Sequence, residues 1–476
     1  MRFDKDFTGS RVLFVAPECA PLTKTGGLGD VAAALPAALR SIGVDVRVLL
    51  PAYGALPGKE LASLEVLGKR ARILESQLPS GVPLYLLDCP ELYVRNGGPY
   101  QTGEGEDWPD NALRFGVLSR AAALLGGAAS PLAWRPHVVH CNDWPTALAP
   151  VYLKREAGAA ASLMTVHNLA FQGLFEPSAL SALGLPQSDF TMDRLEFYGR
   201  LSFLKGGLAC ADALTTVSPT YAAEIQTEAL GCGLDGLLRL RRDDLYGILN
   251  GIDTAAWDPA GDALIAVPYD PATLEAKRGN KAALQRRMEL RVDEEVPLLG
   301  MVGRLTHQKG IDLVLAAAED LVGLPAQLVV LGKGDRAHEH ALAALAARHP
   351  GKVAVATGFN EELAHLIEAG ADLFLMPSRF EPCGLNQMYS QRYGTPPVAH
   401  ATGGLSDTIA DGETGFLFDR PERAALLAAV RRALAARGEP RRWRAMQRAG
   451  MARDFSWSEA ARRYADLYSR LATARG

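Results

Sequence analysis

Residues 11–43 read RVLFVAPECAPLTKTGGLGDVAAALPAALRSIG: an apolar run, the glycine junction KTGGLGD at Lys24–Asp30, then an alanine-rich helical stretch. A short β-branched and aromatic run that gives way to helical periodicity is the strand–turn–helix unit of a parallel sheet. Toward the other end, TGGLSD at Thr402–Asp407 repeats the junction after the apolar run PPVAH. Glycines after a strand let the backbone turn tightly and approach a ligand with no Cβ in the way. A helix opening there offers unpaired N–H groups and a partial positive charge, which suits a diphosphate. Taken alone, either copy reads equally well as an ordinary βα turn. Neither fits G-x-G-x-x-G and the pattern G-x-x-x-x-G-K-[ST] is absent, which disfavours dinucleotide and P-loop chemistry.

The same alternation runs along the whole chain. In the first half strands are expected at 11–16, 44–50, 83–88, 137–141, 162–167, 213–218 and 246–250, with Pro36 kinking the first helix. In the second half they are expected at 297–303, 326–332, 352–358, 372–377 and 396–400, between helices starting at Ile311, Arg336, Asn360 and Gly384. The Pro-, Gly- and Asp-rich stretch 250–271, NGIDTAAWDPAGDALIAVPYDP, reads as an interdomain connection. The fold class is therefore α/β, two Rossmann-like doubly wound domains facing a central cleft. The expected domains are residues 1–248 and 249–456, with a tail helix at 457–476 packing back on the first. In such sheets ligands bind beyond the carboxyl ends of the strands.

Bulk properties narrow the field. A chain of 476 residues exceeds what one core usually serves, and 48% hydrophobic with 22% charged residues is ordinary globular composition. A net charge of −4 makes no case for nucleic acid or an anionic membrane surface. The N-terminal MRFDKDFTGSR is polar, unlike a signal peptide, and no apolar run reaches the roughly 18–20 residues of a membrane span. Cysteines 19, 89, 141, 210, 232 and 383 form no C-x-x-C pair and read as reduced thiols of a cytoplasmic protein. His307, His338, His340 and the acidic run EGED at 104–107 lack metal-ligand spacing, so neither metal nor cofactor is expected.

Four loops at strand ends carry chemistry. In GRLTHQKG (303–310), Arg304 and Lys309 follow a strand and precede a helix. Arg as a planar fork and Lys as a point charge could neutralise a pyrophosphate; two solvated surface cations are the plainer reading. In PSRFEPCGLNQ (377–387), Glu381 could hold sugar hydroxyls or oppose positive charge at an anomeric carbon, or simply serve a helix dipole. Cys383 beside it would feel the helix N-terminus, yet no histidine base lies nearby, which favours a packing or ligand-wall role. In TVHNLAFQGLF (165–175), His167 and Asn168 end a strand, and HCNDW (140–144) brings Asp143 and Trp144 to the preceding strand end. A lone histidine is more often structural; this setting strengthens the functional alternative.

Together KTGGLGD, HCNDW, TVHNLAFQG, NGID, GRLTHQKG, PSRFEPCGLNQ and TGGLSD resemble the bacterial glycogen synthase and plant starch synthase family, in order and over nearly the whole chain. The resemblance implies the GT-B arrangement and retaining transfer of glucose from ADP-glucose to the non-reducing end of an α-1,4-glucan, releasing ADP. It implies that Lys24 and the Gly26–Gly27 backbone contact the donor, with Asp30 shaping the sugar or acceptor side. By the same match, His167 contacts the glucose near the reaction centre, and Arg304 and Lys309 hold the diphosphate. Glu381 stands near the glucose, Cys383, Gly384 and Leu385 line the sugar pocket, and Thr402, Gly403 and Gly404 cradle phosphates. Tyr100, Asp143, Asn168 and Asn250 would complete the sugar and acceptor surfaces, and Phe359 would stack on adenine. Two positions depart from pattern. Tyr389 stands eight residues after Glu381, where related transferases carry a second glutamate, and Phe359 stands where a tyrosine is expected. Closing the domains would bring Lys24 onto a phosphate already held from the other side. The competing readings are another two-domain transferase or epimerase using a UDP-sugar, and a non-catalytic glucan- or nucleotide-binding protein.

Overall fold

The computed structural model describes residues 9–156 and 158–475. Residues 1–8, part of the polar stretch read against a leader, lie outside them. Two compact units emerge. One runs to Gly251 and takes up the chain again at Trp457; the other is Ile252–Ser456.

The strands of the first unit are β1 (Arg11–Val15), β2 (Asp45–Pro51), β3 (Lys59–Val66), β4 (Lys69–Gln77), β5 (Pro83–Asp88), β6 (Val138–Asn142) and β7 (Ala161–Val166). A small sheet of β8 (Leu174–Phe175), β9 (Glu196–Phe197) and β10 (Arg200–Ser202) follows, then β11 (Ala213–Thr216) and β12 (Leu245–Gly247). The main sheet is ordered β12-β11-β7-β6-β1-β2-β5-β4-β3. It is parallel except where β4 pairs with β3 and β5. The β3–β4 hairpin was not expected from the sequence. Its strand KELASLEV alternates charge with half-buried residues, because one face of this antiparallel edge is solvated and no continuous apolar run is required. The inner strands by contrast are buried end to end, as in VVHCN of β6 and ASLMTV of β7.

β1 lies between β2 and β6, so the chain winds away from it in both directions. The crevice of this unit therefore opens where the loops after β1 and β6 diverge. The helix Gly27–Ser41 begins inside the glycine junction and runs unbroken through the buried Pro36. The tail helix Ser458–Arg475 packs beside it in the same apolar cluster, burying Tyr464 and Tyr468. Its Tyr468 hydroxyl meets the buried His140 Nδ1 at 2.7 Å.

The second unit holds β13 (Leu298–Leu305), β14 (Gln327–Gly334), β15 (Val353–Thr357), β16 (Leu373–Met376), β17 (Pro397–His400) and β18 (Phe416–Phe418). Their order is β15-β14-β13-β16-β17-β18, all parallel. The switch point lies between β13 and β16, which carry the loops 304–310 and 377–385. Two sequence expectations need correction here. The helix expected at Gly384 starts at Asn386, because Gly384 has φ +71° and lies outside helical space. The stretch 250–271 is also mostly folded structure rather than connector. Trp257 stacks against both His365 and Tyr389 with ring centroids 3.8 Å apart in each case, and Tyr269 and Ile265 are buried. The Asp262 carboxylate accepts the Tyr393 hydroxyl at 2.5 Å and meets His365 Nδ1 at 2.8 Å, locking that segment to the unit. No helix among the described residues is long and apolar enough to cross a membrane.

Candidate functional site

In the first unit the crevice side chains hold one another in place. Asp143, between β6 and a short 3-10 turn, has φ +56° and ψ 179°, a costly backbone for a residue with a Cβ. Its Oδ1 accepts the His167 N–H at 2.7 Å and the Asn168 N–H at 3.4 Å, tying the end of β7 to the end of β6. Burial pushes the Asp143 carboxyl up to about 7, against the lowering effect of those two N–H groups. His167 is pushed the other way, to about 3, by burial, so its imidazole is neutral near pH 7. Its Nε2 lies 2.9 Å from Asn142 Oδ1, while Asn142 Nδ2 donates to the Val15 carbonyl at 3.0 Å. That orientation makes Nε2 the protonated nitrogen and leaves Nδ1 as an acceptor, suited to a sugar hydroxyl. Asn142 gave no signal in the sequence beyond its place in HCNDW.

Asn168 spends its Oδ1 on the Ala170 N–H at 3.1 Å, a turn contact. Tyr100 packs near Phe115 and Trp144, with centroids 5.8 and 6.2 Å away, and its carbonyl accepts from Asn111 Nδ2 at 2.9 Å. Asn250 is buried, and its Oδ1 has no hydrogen-bond partner among the described residues. Lys24 is exposed, and its Nζ pairs with Asp30 at 2.7 Å. Beneath this loop lies Glu18, which sequence reasoning passed over. It is buried, and its Oε2 accepts the Thr25 N–H at 2.5 Å. The signal available was one acid inside the apolar run VLFVAPECAPL.

In the second unit the buried Glu381 pairs with the half-buried Lys309, Nζ to Oε2 at 2.5 Å, and Ser378 Oγ donates to the same oxygen at 3.0 Å. The two loops interlock through further contacts. The Arg379 N–H donates to the Gln308 carbonyl at 2.9 Å, and Arg379 pairs with Asp312 at 2.5 Å. Arg304, at the end of β13, is exposed; its carbonyl accepts the Thr306 N–H at 2.9 Å, while its guanidinium has no ion-pair or hydrogen-bond partner among the described residues. Phe359 is 83% exposed, a ring with a free face. Cys383 is buried, beside Gly384 and the half-buried Leu385.

The glycines of the two junctions serve packing first. The Gly404 N–H donates to the carbonyls of Glu381 and Pro382 at 3.1 and 3.2 Å. A Cβ on Gly403 or Gly404 would fall 2.0 Å from the carbonyl oxygen of Glu381 or Cys383. The second junction is therefore the floor on which the Glu381 loop rests, and its glycines are needed for backbone-to-backbone approach. In the first junction the Thr25 N–H donates to Glu18 at 2.5 Å and the Gly29 N–H to the Gly26 carbonyl at 3.2 Å. The phosphate-cradling backbone expected from the sequence thus has several of its donors committed within the chain.

Two doubly wound α/β units, the second carrying cations and a fixed carboxylate at its switch point, define a glycosyltransferase of the GT-B class. Comparison with known proteins agrees. Residues 11–240 match the family described as starch synthase catalytic domain, and residues 285–449 match glycosyl transferases group 1. The chain belongs to the glycogen synthase family. It is 56% identical to a glycogen synthase of Aromatoleum aromaticum, over 96% of each chain. It is 51% identical to one of Halorhodospira halophila, over 98% of this chain and 100% of that one. Among solved structures it resembles the catalytic domain of starch synthase IV from Arabidopsis thaliana, bound to ADP and acarbose (TM-score 0.87, 31% identity, 98% and 100% covered). A sucrose-phosphate synthase from Thermosynechococcus elongatus shares the fold, at 19% identity and TM-score 0.64 over 98% and 100% of the chains.

Proposed function

We propose that the protein transfers glucose from ADP-glucose to the non-reducing end of an α-1,4-glucan with retention of configuration, releasing ADP in glycogen synthesis in the cytoplasm. The observation that carries the reading is the switch point of the second unit: an unpaired Arg304 beside a Lys309–Glu381 pair in the adjoining loops. Its six free cysteines suit a reducing compartment.

Breaking the bond between the anomeric carbon and the diphosphate leaves the electron pair on the departing ADP. Arg304 meets that negative charge with a guanidinium already in place, and Lys309 adds to it. Glu381 opposes the positive charge at the anomeric carbon. Its Oε2 is engaged by Lys309 and Ser378, which suits a fixed electrostatic role better than a nucleophile. The acceptor 4-hydroxyl then attacks from the face ADP leaves and gives its proton to the departing phosphate oxygen. Neutral His167 accepts a glucose hydroxyl at Nδ1, Lys24 contacts the donor, and Tyr100, Asp143 and Asn250 contribute to the sugar and acceptor surfaces. Phe359 stacks on the adenine through its exposed ring.

The deciding assay measures glucan-dependent nucleotide release from ADP-glucose and, separately, UDP-glucose. Release of ADP only when glucan is present, with UDP-glucose much poorer, is expected. Preference for UDP-glucose, or no release with either donor, overturns the reading. A covalent glucosyl adduct on Glu381, sought by mass spectrometry of the trapped enzyme, would overturn the front-face mechanism alone.

A further inference from the structure

In an open α/β sheet the turn after the first strand is where backbone N–H groups and a helix N-terminus receive a ligand's phosphate. Here that turn is already filled. Glu18 follows β1 and sits at 3% exposure under the loop, aimed at the junction. Its Oε2 accepts the Thr25 N–H at 2.5 Å, and its Oε1 lies 4.0 Å from where a Cβ on Gly26 would stand. Burial raises the Glu18 carboxyl above its ordinary value against the lowering effect of the loop donors, and the bond to Thr25 is the contact through which it holds the loop.

Lys24 is set directly against this arrangement. On its N-terminal side Cys19 and Thr23 exchange both backbone hydrogen bonds, at 2.9 and 3.0 Å, and pinch the loop shut. On its C-terminal side the next residue, Thr25, is the one Glu18 grips. The Lys24 stem passes over Gly29, where an added Cβ would stand 3.2 Å from Lys24 Cγ, and its Nζ ends 2.7 Å from Asp30. The lysine is thus flanked by Thr23, paired with Cys19 next to Glu18, and by Thr25, bonded to Glu18 itself.

We infer that Glu18 is a positioning residue for Lys24: its carboxylate supplies from within the chain the anion that this glycine junction would otherwise take from a ligand, and so fixes the loop from which Lys24 acts. The inference rests on the donor-contacting role proposed above for Lys24. It separates the two glycine junctions by function, since the first presents a side chain from a nest the chain has filled itself.

The test is a double-mutant cycle with chemical rescue, on the full chain with ADP-glucose and glycogen. Glu18→Ala should lower kcat by roughly tenfold to a hundredfold, the scale of losing charge-assisted hydrogen bonds. Lys24→Ala should lower it at least as much. In the Lys24→Ala background, Glu18→Ala should cost less than about twofold more, because residues acting as a unit are not additive. Sodium formate, compared with sodium chloride at equal ionic strength, should restore Glu18→Ala saturably and raise its melting temperature, and leave Lys24→Ala and wild type unchanged. Fully multiplicative losses, a Glu18→Ala rate within twofold of wild type, an undiminished Lys24→Ala, or absence of formate rescue would each overturn the inference. If Glu18→Ala does not fold, the cycle is run with Glu18→Gln, which keeps shape and one acceptor, and the same non-additivity decides. A wild-type enzyme inactive with ADP-glucose would instead remove the functional reading itself.

Discussion

Replacing Lys309 by alanine strips the ammonium from a carboxylate with little access to water. The side chain of Glu381 is 6% exposed and that of Lys309 22%, with 2.5 Å between Nζ and Oε2. At that separation and an effective dielectric of about 20, the attraction is roughly 7 kcal/mol before desolvation is subtracted. Breaking such a pair by removing one partner typically costs about 3–5 kcal/mol, and the partial exposure of Lys309 argues for about 3. For a unit the size of Ile252–Ser456, each kcal/mol moves the midpoint by about 2–4 °C, so Lys309→Ala should melt about 6–12 °C lower. The double variant Lys309→Ala/Glu381→Gln removes the stranded charge and should recover much of that loss while remaining inactive. Calorimetry at pH 7.5 of wild type and the two variants reads this directly. A Lys309→Ala midpoint within about 2 °C of wild type, or a double variant no more stable than the single, would refute the picture of a mutually dependent pair.

Arg304→Ala, by contrast, removes an exposed cation with no partner, so turnover should fall by orders of magnitude at unchanged melting temperature; steady-state rates and a thermal melt together check this. Burial holds His167 at about 3 when folded, against about 6.5 in an unfolded chain. The unfolded state alone takes up this proton as pH falls from about 6.5 toward 3, so stability is lost on acidification at up to about 1.4 kcal/mol per pH unit. His167→Gln should flatten that limb in urea melts at pH 6.5, 5.5 and 4.5, and an unchanged slope would count against the assignment. Gly403→Ala forces a Cβ to 2.0 Å from the Glu381 carbonyl oxygen at φ +44°, and should cost several kcal/mol with loss of activity. Gly26→Ala, whose Cβ meets nothing nearer than 4.0 Å, should leave the fold intact; circular dichroism melts of both compare the junctions.

The architecture was legible because parallel strands covered on both faces must be continuous apolar runs, and runs such as PLYLLD and DLFLM have no other reading. The β3–β4 hairpin was not legible, since an antiparallel edge solvated on one face spreads its apolar residues too thinly. The candidate residues were legible as strand-end loops, while their partners were not. Ser378 under Glu381 and Asn142 against His167 are ordinary polar residues until the sheet brings distant loops together.

Sequence by itself determined the alternation of the inner parallel strands with helices, the family, and which loops carry ionisable groups, since these follow from local periodicity and residue type. Tertiary structure alone decided what the two glycine junctions do. Whether a backbone N–H is open to a ligand depends on what else reaches it. Gly404 is met by the carbonyls of Glu381 and Pro382, Thr25 by the carboxylate of Glu18, and Gly29 by the carbonyl of Gly26. Tyr389, at the position of a second glutamate in related transferases, likewise acquires a reason only in the fold: its ring stacks on Trp257, 132 residues earlier in the chain. Hydrogen bonds and ring contacts over such separations are set by packing, and no spacing rule in the chain encodes them.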